Sequence, residues 1–124
     1  MILLDTNYLI RSLIAGTPEA ERVDSWLDDA EPLCTAGVCW YEFHSGPVDD
    51  EAVSLIRGVL QERILPFTNE TAVEAARLFN AAGRPRRLRV DAMIAATALL
   101  ADARLATGNT EEFRLFAAEG LELV

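Results

Sequence analysis

Met1-Ile2-Leu3-Leu4-Asp5-Thr6-Asn7 opens the chain with an apolar run that stops abruptly on an acid. A run this short, bounded by polar residues, reads as a buried strand that leaves the sheet at Asp5 into a polar turn. Outward from it, Thr17-Pro18-Glu19 marks a helix start, with Thr as cap, Pro in the first turn and an acid favoured by the helix dipole. Ala20, Val23, Leu27 and Ala30 continue that helix at the expected spacing. Pro32 to Thr35 reads as a second strand, Val38 to His44 as a mostly apolar helix ending near Gly46-Pro47, and Asp49 to Glu62 as an amphipathic helix. Ile64 to Phe67 predicts a third strand and Thr71 to Ala82 a helix that stops before Gly83. A basic loop then leads into an Ala-rich helix, Val90 to Ala103. Leu105-Ala106-Thr107 and Leu121 to Val124 are the last two expected strands, with a short helix near Thr110 to Phe116 between them. Strands alternating with helices need crossover connections, so the expected class is α/β, with helices on both faces of a mainly parallel sheet of four to five strands. Sites in such sheets lie beyond the carboxyl ends of the strands, where Asp5 and the residues after Thr107 are expected.

A chain of 124 residues fits one domain, 1–124, and no stretch of differing composition divides it. The longest nearly apolar run, Ala92 to Ala101, is about half the roughly 20 residues that a membrane-spanning helix needs. The opening residues lack the basic segment of a secretory signal, so a cytoplasmic protein with no membrane attachment is expected. Cys34 and Cys39 have no zinc-like spacing and read as buried free thiols. Asn69-Glu70-Thr71 matches a glycosylation acceptor, but without a signal Asn69 is better read as a helix cap.

Three acids stand apart from the solvated charges of the helix faces and turns. Asp5 follows Ile2-Leu3-Leu4, Glu42 lies within Val38-Cys39-Trp40-Tyr41-Glu42-Phe43, and Asp91 precedes Ala92-Met93-Ile94-Ala95-Ala96 on a helix apolar enough to cross the core. An ionised carboxylate in such surroundings needs a compensating partner: arginine, a helix N-terminus or a divalent metal. Any one of them could be a paired or capping acid, since ion-pair networks also bury carboxylates. Convergence of all three at one sheet edge would favour a hard ion such as Mg²⁺ or Mn²⁺.

Other chemistries of an acid at the end of a first strand fare worse. All 11 basic Lys/Arg residues are arginine, and a phosphoaspartate enzyme or receiver would want a lysine beside the phosphate. Asn7 stands where the phosphatase pattern would put a second acid, and no Gly-Lys-Ser/Thr phosphate loop exists. His44, the one histidine, reads as a helix-end residue and not as part of a Ser-His-Asp triad.

Four segments in order, Leu3-Leu4-Asp5-Thr6-Asn7, Trp40-Tyr41-Glu42-Phe43, Asp91-Ala92-Met93-Ile94-Ala95-Ala96-Thr97-Ala98 and Leu105-Ala106-Thr107-Gly108-Asn109-Thr110-Glu111-Glu112-Phe113, resemble the PIN-domain family, and within it the VapC-like toxins of toxin-antitoxin pairs. The resemblance implies a three-layer α/β/α sandwich and an endoribonuclease that uses Mg²⁺ or Mn²⁺ to hydrolyse RNA phosphodiesters, leaving a 5′ phosphate and a 3′ hydroxyl. It puts Asp5, Glu42 and Asp91 on the family's three core acidic positions as metal ligands, and Asn109 on the fourth catalytic position. Glu112, where Asp is more usual, is the other contender for that fourth place. The expected partners are RNA, a VapB-like antitoxin and a second copy of the chain. A PIN-like interaction module that no longer cuts, and a structure-specific DNA nuclease, are the alternatives; the three intact acids speak against the first and the lack of duplex-clamping insertions against the second.

The net charge of −9 argues against a nucleic-acid coat built on spread positive charge, so a nuclease must concentrate its cations. Arg84, Arg86, Arg87 and Arg89 do so directly before Asp91 and are expected to grip phosphate, with Thr6 as a further substrate or neighbour contact. Thr107 is expected to begin the turn that presents Asn109. Trp26, Trp40 and Tyr41 read mainly as core, with spare apolar surface for partners.

Overall fold

The computed structural model describes all 124 residues. Its sheet has four parallel strands, β1 (Ile2–Leu4), β2 (Leu33–Ala36), β3 (Ile64–Leu65) and β4 (Arg104–Ala106), in the order β3-β2-β1-β4. Strand β1 is central, with Leu3 level with Cys34 on one side and Leu105 on the other. Successive strand side chains point to opposite faces. Ile2, Leu3 and Leu4 are nevertheless all fully buried, so helices cover both faces of the sheet.

Those helices are α1 (Thr6–Arg11), α2 (Pro18–Asp28), α3 (Gly37–His44), α4 (Asp50–Leu60), α5 (Asn69–Ala81), α6 (Arg89–Leu100) and α7 (Thr110–Phe113). Thr17 caps α2 by accepting the Ala20 N–H at 3.1 Å, and Asp49 caps α4 through the Ala52 N–H at 2.8 Å. Helix α6 buries Ala92 and the run from Ile94 through Ala98, as its apolar sequence predicts. None of the helices is long and apolar enough to cross a membrane.

Four local expectations differ from the structure. The residues after Asp5 form helix α1 and not a turn, because the Asp5 carboxylate accepts the Thr6 N–H and caps a new helix. Thr68, not Asn69, caps α5: its hydroxyl accepts the Thr71 N–H at 3.2 Å, leaving Asn69 as the first helical residue. Strand β3 ends at Leu65, since Pro66 has no N–H to donate to the ladder. The expected fifth strand at Leu121 to Val124 is a single bridge from Leu123 to Leu105, reached after a 3₁₀ segment, Arg114–Glu119.

Chain direction fixes where the site must lie. The carboxyl ends of β1 and β4 share one edge, and Asp5 and Thr107 follow them there. Helix α3 starts at the same edge, directly after β2. Helix α6 feeds the start of β4 and therefore runs against the strands, which brings its first turn, with Asp91, back to that edge. Replacing the fully buried Leu3 by Ala is expected to lower the unfolding free energy by about 2–5 kcal/mol. Replacing Val73, which is 73% exposed on α5, by Ala should change it by less than about 0.5 kcal/mol. Urea denaturation followed by circular dichroism measures both.

Candidate active site

Asp5 is the innermost acid of this edge, only 7% exposed. Its Oδ1 accepts the Thr6 N–H at 2.7 Å, with Cys39 Sγ at 3.7 Å from the same oxygen, and its Oδ2 accepts the Thr107 hydroxyl at 2.7 Å. The Asp5 N–H donates to the Ala106 carbonyl at 3.0 Å. One residue thus joins the end of β1, the start of α1 and the end of β4. Below it, the buried Thr35 hydroxyl donates to the Leu4 carbonyl at 2.7 Å and ties β2 to the same corner.

Thr107 has two partners, because its hydroxyl oxygen also accepts the Asn109 N–H at 3.0 Å. The turn that leads to Asn109 is therefore built on the hydroxyl that holds Asp5. Thr6 fixes a different acid: its Oγ1 donates to Glu42 Oε1 at 2.9 Å, joining α1 to α3. Glu42 itself is exposed, despite its apolar neighbours in sequence. Cys39 and Phe43 occupy the buried face of α3, which turns Glu42 and Tyr41 outward; Tyr41 is 73% exposed and is not core. Trp40 does pack on Phe43, with His44 edge-on to its ring at the helix end, and Trp26 stacks on Tyr8.

Asp91 is half-buried in the first turn of α6. Helix dipoles favour the ionised form of an acid there. Burial, together with the charges of Asp5, Glu112 and Glu42, outweighs that preference and pushes its pKa up to about 6. Three carboxylates from separate elements therefore act on Asp91 of α6: Asp5 after β1, Glu42 on α3 and Glu112 on α7. Glu112 is the member that sequence reasoning left undecided against Asn109. Asn109 lies exposed ahead of α7, with no hydrogen bond from its side chain, whereas Glu112 Oε2 is shielded from solvent and accepts no hydrogen bond. A signal existed in the sequence: Glu112 directly precedes Phe113, whose full burial turns the short helix toward the core.

The basic loop divides. Gly83 and Arg84 both adopt left-handed backbone, at φ +90° and +63°, and the Arg84 N–H closes the end of α5 on the Phe79 carbonyl. Arg86 and Arg87 then enter a 3₁₀ turn, Arg86–Leu88, anchored by the buried Leu88. Arg87 Nε reaches Glu112 Oε2 at 3.4 Å. Arg89 goes elsewhere. Two residues before Asp91 on the same helix, it points about 200° away and lines an apolar groove with Phe67, Phe79 and Met93.

Both cysteines are buried and free, with burial pushing the thiols up to about 11 for Cys34 and about 12 for Cys39. Neither is a thiolate ligand at neutral pH. The donors available to a metal are thus carboxylate oxygens, which suit a hard divalent ion. No three acidic, histidine or cysteine side chains stand at the spacing of a complete ligand cage. A water-rich ion such as Mg²⁺, which takes one or two carboxylates and keeps several waters, fits such a set, and Glu112 Oε2, which accepts no hydrogen bond, offers it an oxygen.

Solved structures of similar architecture include a toxin-antitoxin complex. The chain aligns over its full length with 97% of a chain of FitAcB from Neisseria gonorrhoeae, at 28% identity and a TM-score of 0.70. It covers 90% of a chain in a toxin-antitoxin complex from Klebsiella pneumoniae, using 91% of its own length, at 27% identity and a TM-score of 0.66. VapBC-1 from nontypeable Haemophilus influenzae shares the fold, at 21% identity and a TM-score of 0.68 over the whole of this chain and 97% of the other. No curated protein matches the chain in sequence. The PIN domain profile matches residues 2–119, a span that contains all four acids, and the chain belongs to the PIN domain family.

Proposed function

We propose that the protein is a Mg²⁺- or Mn²⁺-dependent endoribonuclease and the toxin of a VapBC-like toxin-antitoxin pair. The observation that carries the reading is the surplus of negative charge at the sheet edge. Asp91 is destabilised in its charged form by burial first and then by three other carboxylates, and the one ion pair at the cluster is the partly exposed Arg87–Glu112 contact. A fold that gathers four acids and leaves them so weakly compensated is arranged for a cation that arrives from solution.

In this reading Asp91 and Glu112 ligate a divalent ion that keeps several waters, Asp5 binds it through one of those waters, and Glu42, steadied by Thr6, orients water or a second ion. When bound, the ion supplies a Lewis acid for the phosphodiester and lowers the pKa of water. The chain's own residues do the positioning. Thr107 and the Thr6 N–H hold Asp5 in one orientation, so that its remaining lone pairs point to a fixed place. Asn109, at the rim, presents an amide to substrate or to a water. Arg86 and Arg87 meet the RNA phosphates on the side of the acids, and Arg84 enlarges the same positive patch.

The antitoxin is assigned to the apolar groove between α2 and α4, where Leu13, Val23, Leu27 and Leu55 line a surface that the chain leaves uncovered. Leu27 and Leu55 are 42% and 56% exposed, a poor use of leucine unless a partner buries them. The similar structure from Klebsiella pneumoniae, a toxin-antitoxin complex, supports a partner of this kind. A homodimer belongs to the same reading.

Three outcomes are expected. Asp5→Asn and Asp91→Asn should each lower cleavage of total RNA by at least the roughly 100-fold that loss of even an outer partner of a metal site can cost, with circular dichroism unchanged. Sequencing of the ends should find 5′ phosphates made only with Mg²⁺ or Mn²⁺; cleavage by either variant in EDTA would refute the reading, and cleavage of DNA alone would replace its substrate. Substituting both Arg86 and Arg87 by Gln should flatten the log–log salt dependence of RNA binding by about 1.4, twice the roughly 0.7 per phosphate contact on a single strand. The third outcome concerns pH in the absence of metal. With its folded pKa at about 6 against an ordinary 3.8, Asp91 binds more protons folded than unfolded between those values, so it makes stability fall as pH rises through that window. Thermal denaturation from pH 4 to 7 should show this decline in the wild type, a weaker one in Asp91→Asn, and its reversal by added Mg²⁺.

A further inference from the structure

Of the four arginines before Asp91, one is already spent on an acid. Arg87 Nε stands 3.4 Å from Glu112 Oε2, an oxygen shielded from solvent that accepts no hydrogen bond from any group. The contact is an ion pair without a hydrogen bond, between side chains that are 66% and 36% exposed. Pairs of this kind are worth little and exchange readily. Its position matters more than its strength. Glu112 is one of the three charges that raise the pKa of Asp91, so the guanidinium is the sole cation in contact with the acid cluster. Arg87 is carried by a single 3₁₀ turn, Arg86–Leu88, whose only buried residue is Leu88. Its side chain is therefore free to turn while the turn itself stays anchored.

We propose that Arg87 is a resident counter-ion which occupies the place of the metal on Glu112 and exchanges it for substrate phosphate when the metal binds. The inference rests on the metal-nuclease reading given above and assigns to one residue two coupled tasks. In the metal-free protein the guanidinium neutralises Glu112 and limits the repulsion within the cluster. A divalent ion on Glu112 displaces it, since two cations cannot share one shielded oxygen without repelling each other. The freed guanidinium is then beside the site with its planar fork available, which suits a phosphodiester. Arg87 is thus a positioning residue that couples metal occupancy to RNA affinity, and it opposes metal binding while assisting substrate binding. Arg84 and Arg86, which touch no acid, share only the second task.

Calorimetric titration of Mn²⁺ into the full-length protein at about 150 mM salt, where charges farther apart than about 8 Å are largely screened, separates these roles. Arg87→Gln should bind Mn²⁺ about two- to fivefold more tightly than wild type, the range set by the worth of an exposed ion pair. Arg86→Gln should leave Mn²⁺ affinity within about 1.5-fold, as expected for a screened charge without a direct partner. In a Glu112→Gln background the gain from Arg87→Gln should vanish, because the two residues act through one contact. With Mn²⁺ present, anisotropy of a labelled single-stranded oligoribonucleotide with hydrolysis-resistant phosphorothioate linkages should show weaker binding by Arg87→Gln than by wild type, a difference that shrinks in EDTA, where the guanidinium stays on Glu112. Wild-type protein that binds Mn²⁺ with an affinity unchanged in Arg87→Gln, or raised equally in Arg86→Gln, overturns the assignment and leaves the nuclease reading standing. Wild-type protein that binds no Mn²⁺ overturns both.

Discussion

The carboxylate of Asp5 is held at the meeting point of three elements, and its burial imposes conditions on everything around it. An acid 7% exposed must have its oxygens occupied. The backbone meets that condition by starting α1 immediately after β1, which delivers the Thr6 N–H, and by ending β4 level with β1, which delivers the Thr107 hydroxyl. Register between the two strands is therefore more than a matter of apolar packing: a slip of one residue would carry Thr107 away from the carboxylate and turn the buried face of β4 outward. The strand pairing that builds the core and the hydrogen bonds that orient the acid are the same arrangement seen from two sides.

Beyond Asp5 the remaining acids are brought in by direction rather than by proximity in sequence. Parallel strands place every loop that follows a strand at one edge, and a helix that returns to start the next strand brings its own first turn there. Asp91 arrives by the second route and the other three by the first. Their mutual repulsion is a cost that packing has to offset, and the apolar length of α6, buried at Ala92 and from Ile94 to Ala98, supplies that offset next to the acid that suffers most. Stability and charge are thus opposed across one turn of helix.

Much of this was legible in the sequence, and the failures have physical causes. The Leu-Leu-Asp ending, the alternation of strands and helices and the all-round apolar α6 each report burial, which is what sequence patterns encode best. Glu42 misled for the same reason: apolar neighbours along the chain suggested burial, yet on a helix the faces diverge, and Cys39 and Phe43 took the inside. The start of α1 was hidden because Asp5 serves both as cap and as site, so the same residues read equally well as a turn. Arg89 was grouped with its neighbours by sequence, whereas two helical residues are enough to send it to the far side of α6 from Asp91. Glu112 could be narrowed to a contender but not chosen, since only the three-dimensional course of α7 turns it toward Asp91.

Charge at longer range completes the physical account. A chain of net charge −9 repels a polyanion, so in the proposed function any attraction for phosphate has to act over a few ångströms and at few points. The 3₁₀ turn that carries Arg86 and Arg87 meets that requirement by standing directly before α6, within reach of the acids, while arginines on the outer helices are absorbed in ion pairs: Arg11 with Glu19, Arg57 with Glu62, Arg77 with Glu74 and Glu119. For the proposed reaction this means that affinity depends on what occupies the acid cluster, because each cation gained there removes part of the repulsion that a phosphate approaching the same edge would meet.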